Sequence, residues 1–193
     1  MIPDLKPEAP NLESARCAAR VESLTEADIE TLVALAREIW YAHYPAIIGS
    51  AQIEYMLRKR YDFDVVRAEL QHGGLWWDKM MLGAEMAGFA SYFLVDDAAD
   101  RMKLDKLYVH PRHQRRGYGG MMIARACAAA RARGCHRLEL AVNKNNRGAI
   151  AAYLKHGFSV VAGMVKDIGG GFVMDDYIME IGVRGDQPGH ETR

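Results

Sequence analysis

Long apolar runs are missing from this sequence. None approaches the ~20 residues that span a bilayer, which excludes a transmembrane helix. Cysteine is scarce: Cys17, Cys127 and Cys135 are odd in number and show no CxxC spacing. This argues against a disulfide framework and a cysteine zinc site, and a reducing compartment fits. His110 and His113 lie three apart with no third ligand at metal spacing, so no metal is expected. The opening MIPDLKPEAP lacks the basic start and apolar stretch of a signal peptide, which predicts a cytoplasmic protein. Excess charge is also missing. The 25 Lys plus Arg balance 25 Asp plus Glu, which argues against a general nucleic-acid binder.

What is present is a chain of 193 residues, half of them hydrophobic, enough for one sizeable core. The zero net charge conceals a division. Arg101–Arg137 holds ten basic residues and one acid, Asp105, so this segment carries +9 and the remainder −9. Such a block suits an anionic partner, or it is a solvated basic face.

Residues 1–14 contain three prolines and no periodic pattern, and residues 183–193 read the same way. Both are expected to be flexible tails around a single domain over 15–182. Residues 15–23 suggest a first strand. Thr25 with Asp28 forms a capping box before a helix carrying Ile29, Leu32, Val33, Ala36, Ile39 and Trp40, which Pro45 ends. Ser50 is the expected cap of a second helix, and Asp64 the expected start of a third that stops at Gly73-Gly74. Strands follow at 75–80, 84–95 and 103–109, with Asp96–Asp100 a loop. Alternation along the third places Asp105 and Leu107 on one face, Leu104, Lys106 and Tyr108 on the other. An Ala-rich helix then runs to Arg133, a strand covers 137–142, a helix 146–156, and two strands cover 158–161 and 172–181. This order predicts an α/β (α+β) fold, a mixed sheet with helices on both faces.

The informative stretch is Gln114-Arg115-Arg116-Gly117-Tyr118-Gly119-Gly120, set between a strand and a helix. Its glycines allow close approach of a ligand, and the first helical turn directs N–H groups and the positive end of the dipole outward. This is a phosphate or pyrophosphate cradle, or simply a tight turn. GxxxxGK[ST] is absent, and the run lacks the third glycine of GxGxxG.

Around it stand Lys103-Leu104-Asp105-Lys106-Leu107-Tyr108-Val109-His110-Pro111, then Asn143-Lys144-Asn145-Asn146-Arg147-Gly148-Ala149-Ile150-Ala151-Ala152-Tyr153, then Lys155-His156-Gly157-Phe158. Together, in this order, these pieces resemble the GNAT superfamily of acetyl-CoA-dependent N-acetyltransferases. The resemblance implies a mainly antiparallel twisted sheet with a bulged strand and a splayed central strand pair. Coenzyme A would lie in the opening, as cosubstrate. It implies that Leu107, Tyr108 and Val109 offer backbone groups to it, that Gln114, Arg115, Arg116, Gly117, Tyr118, Gly119 and Gly120 hold its pyrophosphate, and that Asn146 bonds its pantetheine arm. Tyr153 would protonate the leaving thiolate, and a backbone N–H would stabilise the oxyanion.

Each role has a plainer rival in the residues themselves. Leu107 and Val109 suit strand core, Asn146 a helix N-cap, and Tyr153 a core position. Where N-terminal acetyltransferases of the superfamily often carry a glutamate base, this chain has Ala141. Asp105 is the replacement expected as catalytic base, or else a salt-bridged acid beside Lys103 or Lys106. Glu139 and the pair Asp175-Asp176 are weaker candidates. Trp40, Tyr44, Tyr55 and Tyr61 would line the acceptor pocket, where aromatic faces suit a cationic amine. Gly169–Tyr177 reads as a loop near the acceptor or a homodimer contact. The strand before the glycines also resembles the polyamine-acetylating branch of bacterial GNAT proteins. The expected activity is acetyl transfer to a primary amine of a small molecule or polyamine. A protein N-acetyltransferase, a non-catalytic acyl-CoA-binding module and a different nucleotide-binding protein are the rival readings.

Overall fold

The computed structural model describes residues 19–95 and 100–183. The expected tail 1–14, the loop residues 96–99, Cys17 and residues 184–193 of the second expected tail lie outside them. Seven strands form one sheet in the order β1-β2-β3-β4-β5-β7-β6. They are β1 (Ala19–Ser23), β2 (Leu75–Leu82), β3 (Glu85–Leu94), β4 (Arg101–Val109), β5 (Arg137–Asn143), β6 (Ser159–Gly169) and β7 (Phe172–Gly182). Every pairing is antiparallel except β4 with β5. The helices are α1 (Ile29–His43), α2 (Ser50–Tyr61), α3 (Phe63–Gln71), α4 (Tyr118–Ala132) and α5 (Arg147–Lys155). None of the described helices is long and apolar enough to cross a membrane.

The helical stripe read from the sequence does bury α1: Ile29, Leu32, Leu35, Ala36, Ile39 and Trp40 are all inside. Thr25 and Asp28 close the capping box, Thr25 N–H donating to Asp28 Oδ2 at 2.8 Å. Two starts differ from expectation. Gly49, not Ser50, stands at the α2 N-cap, and α3 starts at Phe63, one residue before Asp64, with Asp62 capping it by accepting from Asp64 N–H. A cap is defined by backbone geometry, so a boundary read from residue type alone shifts by a residue or two.

One face of the sheet packs α4 over Met80, Leu104, Leu138 and Met179. The other packs α1–α3 over Trp77, Met86 and Phe89. Val183 is buried in the first core and donates its N–H to His136, so the packed domain reaches one residue into the expected C-terminal tail. Strand β6 runs to Gly169, eight residues past the expected end. It is almost wholly exposed, so no apolar alternation marks it, and its pairing with β7 makes it a strand.

Two departures from regular pairing shape the centre. In β4, Lys106 opposes Ser91 while Leu104 opposes Tyr92, which leaves Asp105 as the extra residue of a β-bulge. The alternation read from the sequence is therefore wrong here. Leu104 and Leu107 share the α4 face, whereas Asp105, Lys106 and Tyr108 face the α1–α3 side. Beyond Leu104 and Leu140, β4 no longer pairs with β5. From there β4 follows β3 and β5 follows β7, and the two strands splay.

Candidate active site

The backbone polarity of the splayed strand follows from its pairing. His110 N–H donates to Ala87 C=O, so His110, Tyr108 and Lys106 are the residues whose N–H and C=O serve β3. Leu107 and Val109 turn theirs into the gap beside β5. Of the three positions expected to offer backbone groups, Tyr108 is thus engaged within the sheet. The Val109 carbonyl is engaged too, accepting from Gln114 Nε2 at 2.9 Å. Gln114 ties the glycine loop to the strand end, while Leu107 keeps both groups and Val109 its N–H for the gap.

The loop after Gln114 is bent to present the next helix. Arg115 has φ 61°, and Gly117 takes φ 89° at the N-cap of α4, a conformation that costs glycine least. No side chain caps this helix. Met121 N–H is the first to close an α-helical bond, to Gly117, so the N–H groups of Tyr118, Gly119 and Gly120 have no intrahelical acceptor. A Cβ at Gly119 would meet nothing within 4 Å, so its exposed side is open. Gly120 differs: a Cβ there would lie 2.6 Å from the His156 ring, so this glycine lets α4 approach α5. The Tyr118 ring is buried in the core and contributes only backbone here, and Arg116 is exposed outside the cleft lining.

A cleft of about 900 Å³ opens from this loop. Arg115, Gly117 and Gly119 line one part of it, and Asn146 and Tyr153 line it from α5. Asn146 is also the N-cap of α5. Its Oδ1 accepts from Ala149 N–H at 3.3 Å and lies 3.2 Å from His43 Nε2, so only its amide NH2 remains for a ligand. Tyr153 is partly buried and packs edge-on against Phe158. Burial alone pushes its phenol up to about 12, so it is protonated throughout the neutral range.

Elsewhere the cleft is polar. Asp105 lines it but is doubly ion-paired, to Arg60 at 2.5 Å and to Lys106 at 2.9 Å. Burial acts to raise its pKa, but Lys106 and Arg60 outweigh burial and hold the carboxyl below its ordinary range. Lys106 is itself buried, shared with Glu69 and set over the Trp77 ring. Asp105 is thus salt-bridged, with Arg60 as a partner that strand neighbours could not reveal. Glu139 is paired to Arg101, and Asp175 is exposed and paired to Lys144. Asp176 lines the cleft, is 3 % exposed, and its Oδ1 has no hydrogen-bond partner among the described residues.

The aromatic series divides. Tyr44, Tyr61 and Trp40 reach the cleft, joined by the Tyr108 ring, whose hydroxyl lies 3.2 Å from that of Tyr44. Burial raises the pKa values of Tyr44 and Tyr108 well above the ordinary value, so both are neutral. Tyr55 does not line the cleft. Its hydroxyl donates to the Ile168 carbonyl at 2.5 Å, clamping the β6–β7 hairpin whose turn glycines 169–171 all have positive φ. Segment 169–177 is therefore a turn leading into β7, and it brings Met174 and Asp176 to the cleft.

Half of the ten basic residues of the +9 block are paired with acids of other elements. Arg101, Lys106, Arg112, Arg125 and Arg137 pair with Glu139, Glu69, Glu85, Asp78 and Asp100. Arg115 and Lys103 line the cleft without a salt bridge among the described residues.

Residues 31–158 match the family model described as Acetyltransferase (GNAT) family. A spermidine N(1)-acetyltransferase of Thermoplasma acidophilum is 27% identical over 164 residues, covering 83% of this chain and 94% of that one. The PaiA N-acetyltransferase of the same organism, solved in complex with coenzyme A, superposes with a TM-score of 0.72 at 24% identity, covering 84% of this chain and 97% of that one. A GCN5-related N-acetyltransferase from Rhodopseudomonas palustris gives 0.71 at 22% identity, covering 86% and 96%.

Proposed function

Because this chain belongs to the acetyltransferase (GNAT) family, we propose that it transfers the acetyl group of acetyl-CoA to a primary amine of a small cationic molecule of the polyamine type. The observation that carries this reading is the uncapped, glycine-lined N-terminus of α4 opening into the same cleft as the splayed strands and the Tyr153 hydroxyl.

The residues present fit coenzyme A. Three unbonded N–H groups, the helix dipole and Arg115 form a site for a pyrophosphate. The Leu107 N–H and C=O, the Val109 N–H and the Asn146 amide offer matching donors and acceptors for the amides of a pantetheine arm. When bound, acetyl-CoA supplies an activated thioester.

The remaining chemistry belongs to this chain. Tyr153 carries a proton at neutral pH and holds it at its Oη, ready for a departing thiolate. The neutral tyrosines Tyr44, Tyr61 and Tyr108 give the cleft aromatic faces and hydroxyl acceptors, which bind an alkylammonium without adding net charge. Of the acids that line the cleft, Asp105 is paired to Arg60 and Lys106, while Asp176 keeps a carboxylate oxygen without a partner among the described residues.

Free-thiol release from acetyl-CoA across polyamines, amino acids, aminoglycosides and peptide N-termini tests the proposal. Release with a polyamine supports it. Coenzyme A binding without release to any amine would mark a non-catalytic module, and release to peptides alone would mark a protein acetyltransferase. Thermal stabilisation by ATP or NAD but not by coenzyme A would overturn the cofactor assignment.

A further inference from the structure

An alkyl ammonium has a pKa of about 10, so an acceptor arrives protonated at neutral pH and its lone pair must be freed. The acids within reach of the cleft differ sharply in availability. Asp105 has both a guanidinium and an ammonium on Oδ2, Glu69 holds Lys106, and Asp175 holds Lys144. Ala141 lines the cleft from β5 and offers no base.

Asp176 stands apart. It opposes Asn143 of β5 and Met164 of β6, at the end of β5 that has splayed from β4. It is 3 % exposed, it lines the cleft, and a carboxylate oxygen is left without a partner among the described residues. Buried carboxylate oxygens without partners are uncommon, because the lost hydration is uncompensated. A bound ammonium would supply what is missing. The groups that act on Asp176 are Lys103 from β4, Lys144 after β5, its neighbour Asp175, and Tyr44 before α2. Tyr44, Asp176 and Tyr153 all line the same cleft.

We propose that Asp176 is the carboxylate that receives the acceptor's ammonium and takes its proton. One N–H bond of the ammonium breaks, an O–H bond forms on the Asp176 carboxyl, and the electron pair remains on nitrogen. The proton then leaves to water as the cleft opens to solvent. Burial first, and Asp175 second, raise the carboxyl above its ordinary range despite Lys103 and Lys144, which makes it a better base near neutrality. This role rests on the amine-acetylating function proposed above.

The test is Asp176→Asn in the full chain, with kcat/KM followed against pH and coenzyme A affinity measured separately. The expected result is a fall of about 10²–10⁴-fold in kcat/KM for a polyamine. The acid limb of the profile should be lost and coenzyme A affinity should be unchanged. An aromatic amine, neutral on arrival, should lose far less. Asp176→Ala should regain rate on addition of formate, which a purely structural role does not predict and which needs only a folded protein. Asparagine activity within about threefold of the parent, an acid limb left in place, or an equal loss for the aromatic amine would each overturn the role. A parent chain that acetylates no amine would instead overturn the function on which it rests.

Discussion

Arg60 on α2 donates to Asp105 at the bulge of β4, 2.5 Å away and 45 residues along the chain. The contact joins the helical half of the molecule to the strand that borders the cleft, and it gives the Asp105 carboxylate a cationic partner that holds its pKa below the ordinary range. Asp105→Asn should leave most activity in place. It should lower stability at neutral pH by about 1–3 kcal/mol, since Lys106 is left buried with one acid fewer.

The pH dependence of that loss has a definite sign. The folded Asp105 pKa is depressed, so its contribution to stability is complete above the ordinary carboxylate range. It disappears as pH falls through the folded pKa. Parent and Asp105→Asn melting temperatures should therefore differ at pH 7 and converge in strong acid. A gap that persisted in acid would show that the difference does not come from the carboxylate charge.

Tyr153→Phe removes the hydroxyl and leaves the ring against Phe158. Turnover should fall about 10²–10⁴-fold while coenzyme A affinity stays constant. With the phenol pushed up to about 12, the parent should show no alkaline limb from this residue below pH ~10. Unchanged turnover in single-turnover assays would remove Tyr153 from the acid role.

Gly119 and Gly120 should respond oppositely to alanine. At Gly119 a Cβ meets nothing, so helix propensity should hold or raise stability by up to about 1 kcal/mol while coenzyme A affinity falls. At Gly120 the Cβ meets the His156 ring, and stability should fall by about 1 kcal/mol. His156→Ala should restore it in the double variant. Thermal melts with and without coenzyme A read all four proteins.

Tyr55→Phe should loosen the β6–β7 turn at a cost of about 1 kcal/mol. Because the hairpin carries Met174 and Asp176 into the cleft, acceptor KM should rise while coenzyme A affinity is unaffected. An equal change in both would place the hairpin's influence elsewhere.

Much of the fold was legible because its signals are local. The α1 stripe, the Thr25–Asp28 box and the strand–glycine–helix order each depend on residues within one or two turns. Exposed β6 was cut short because an edge strand with no buried face carries no period to read.

By itself, the sequence determined which elements form, their order and the glycine-lined helix start that makes an anion site. Consecutive residues set periodicity, turns and caps, and these need no distant partner. Tertiary structure decided which acids are free. One bulged residue put Asp105 on the same face as Lys106, and only the folded sheet could show that shift of register. It also decided that half of a basic block would be neutralised by acids brought from other elements. Asp175 and Asp176 look equivalent in sequence, yet strand alternation sends one to solvent and Lys144, the other into the cleft without a partner among the described residues. Charge availability is a property of pairings made across the fold, and those pairings exist only once distant elements have packed.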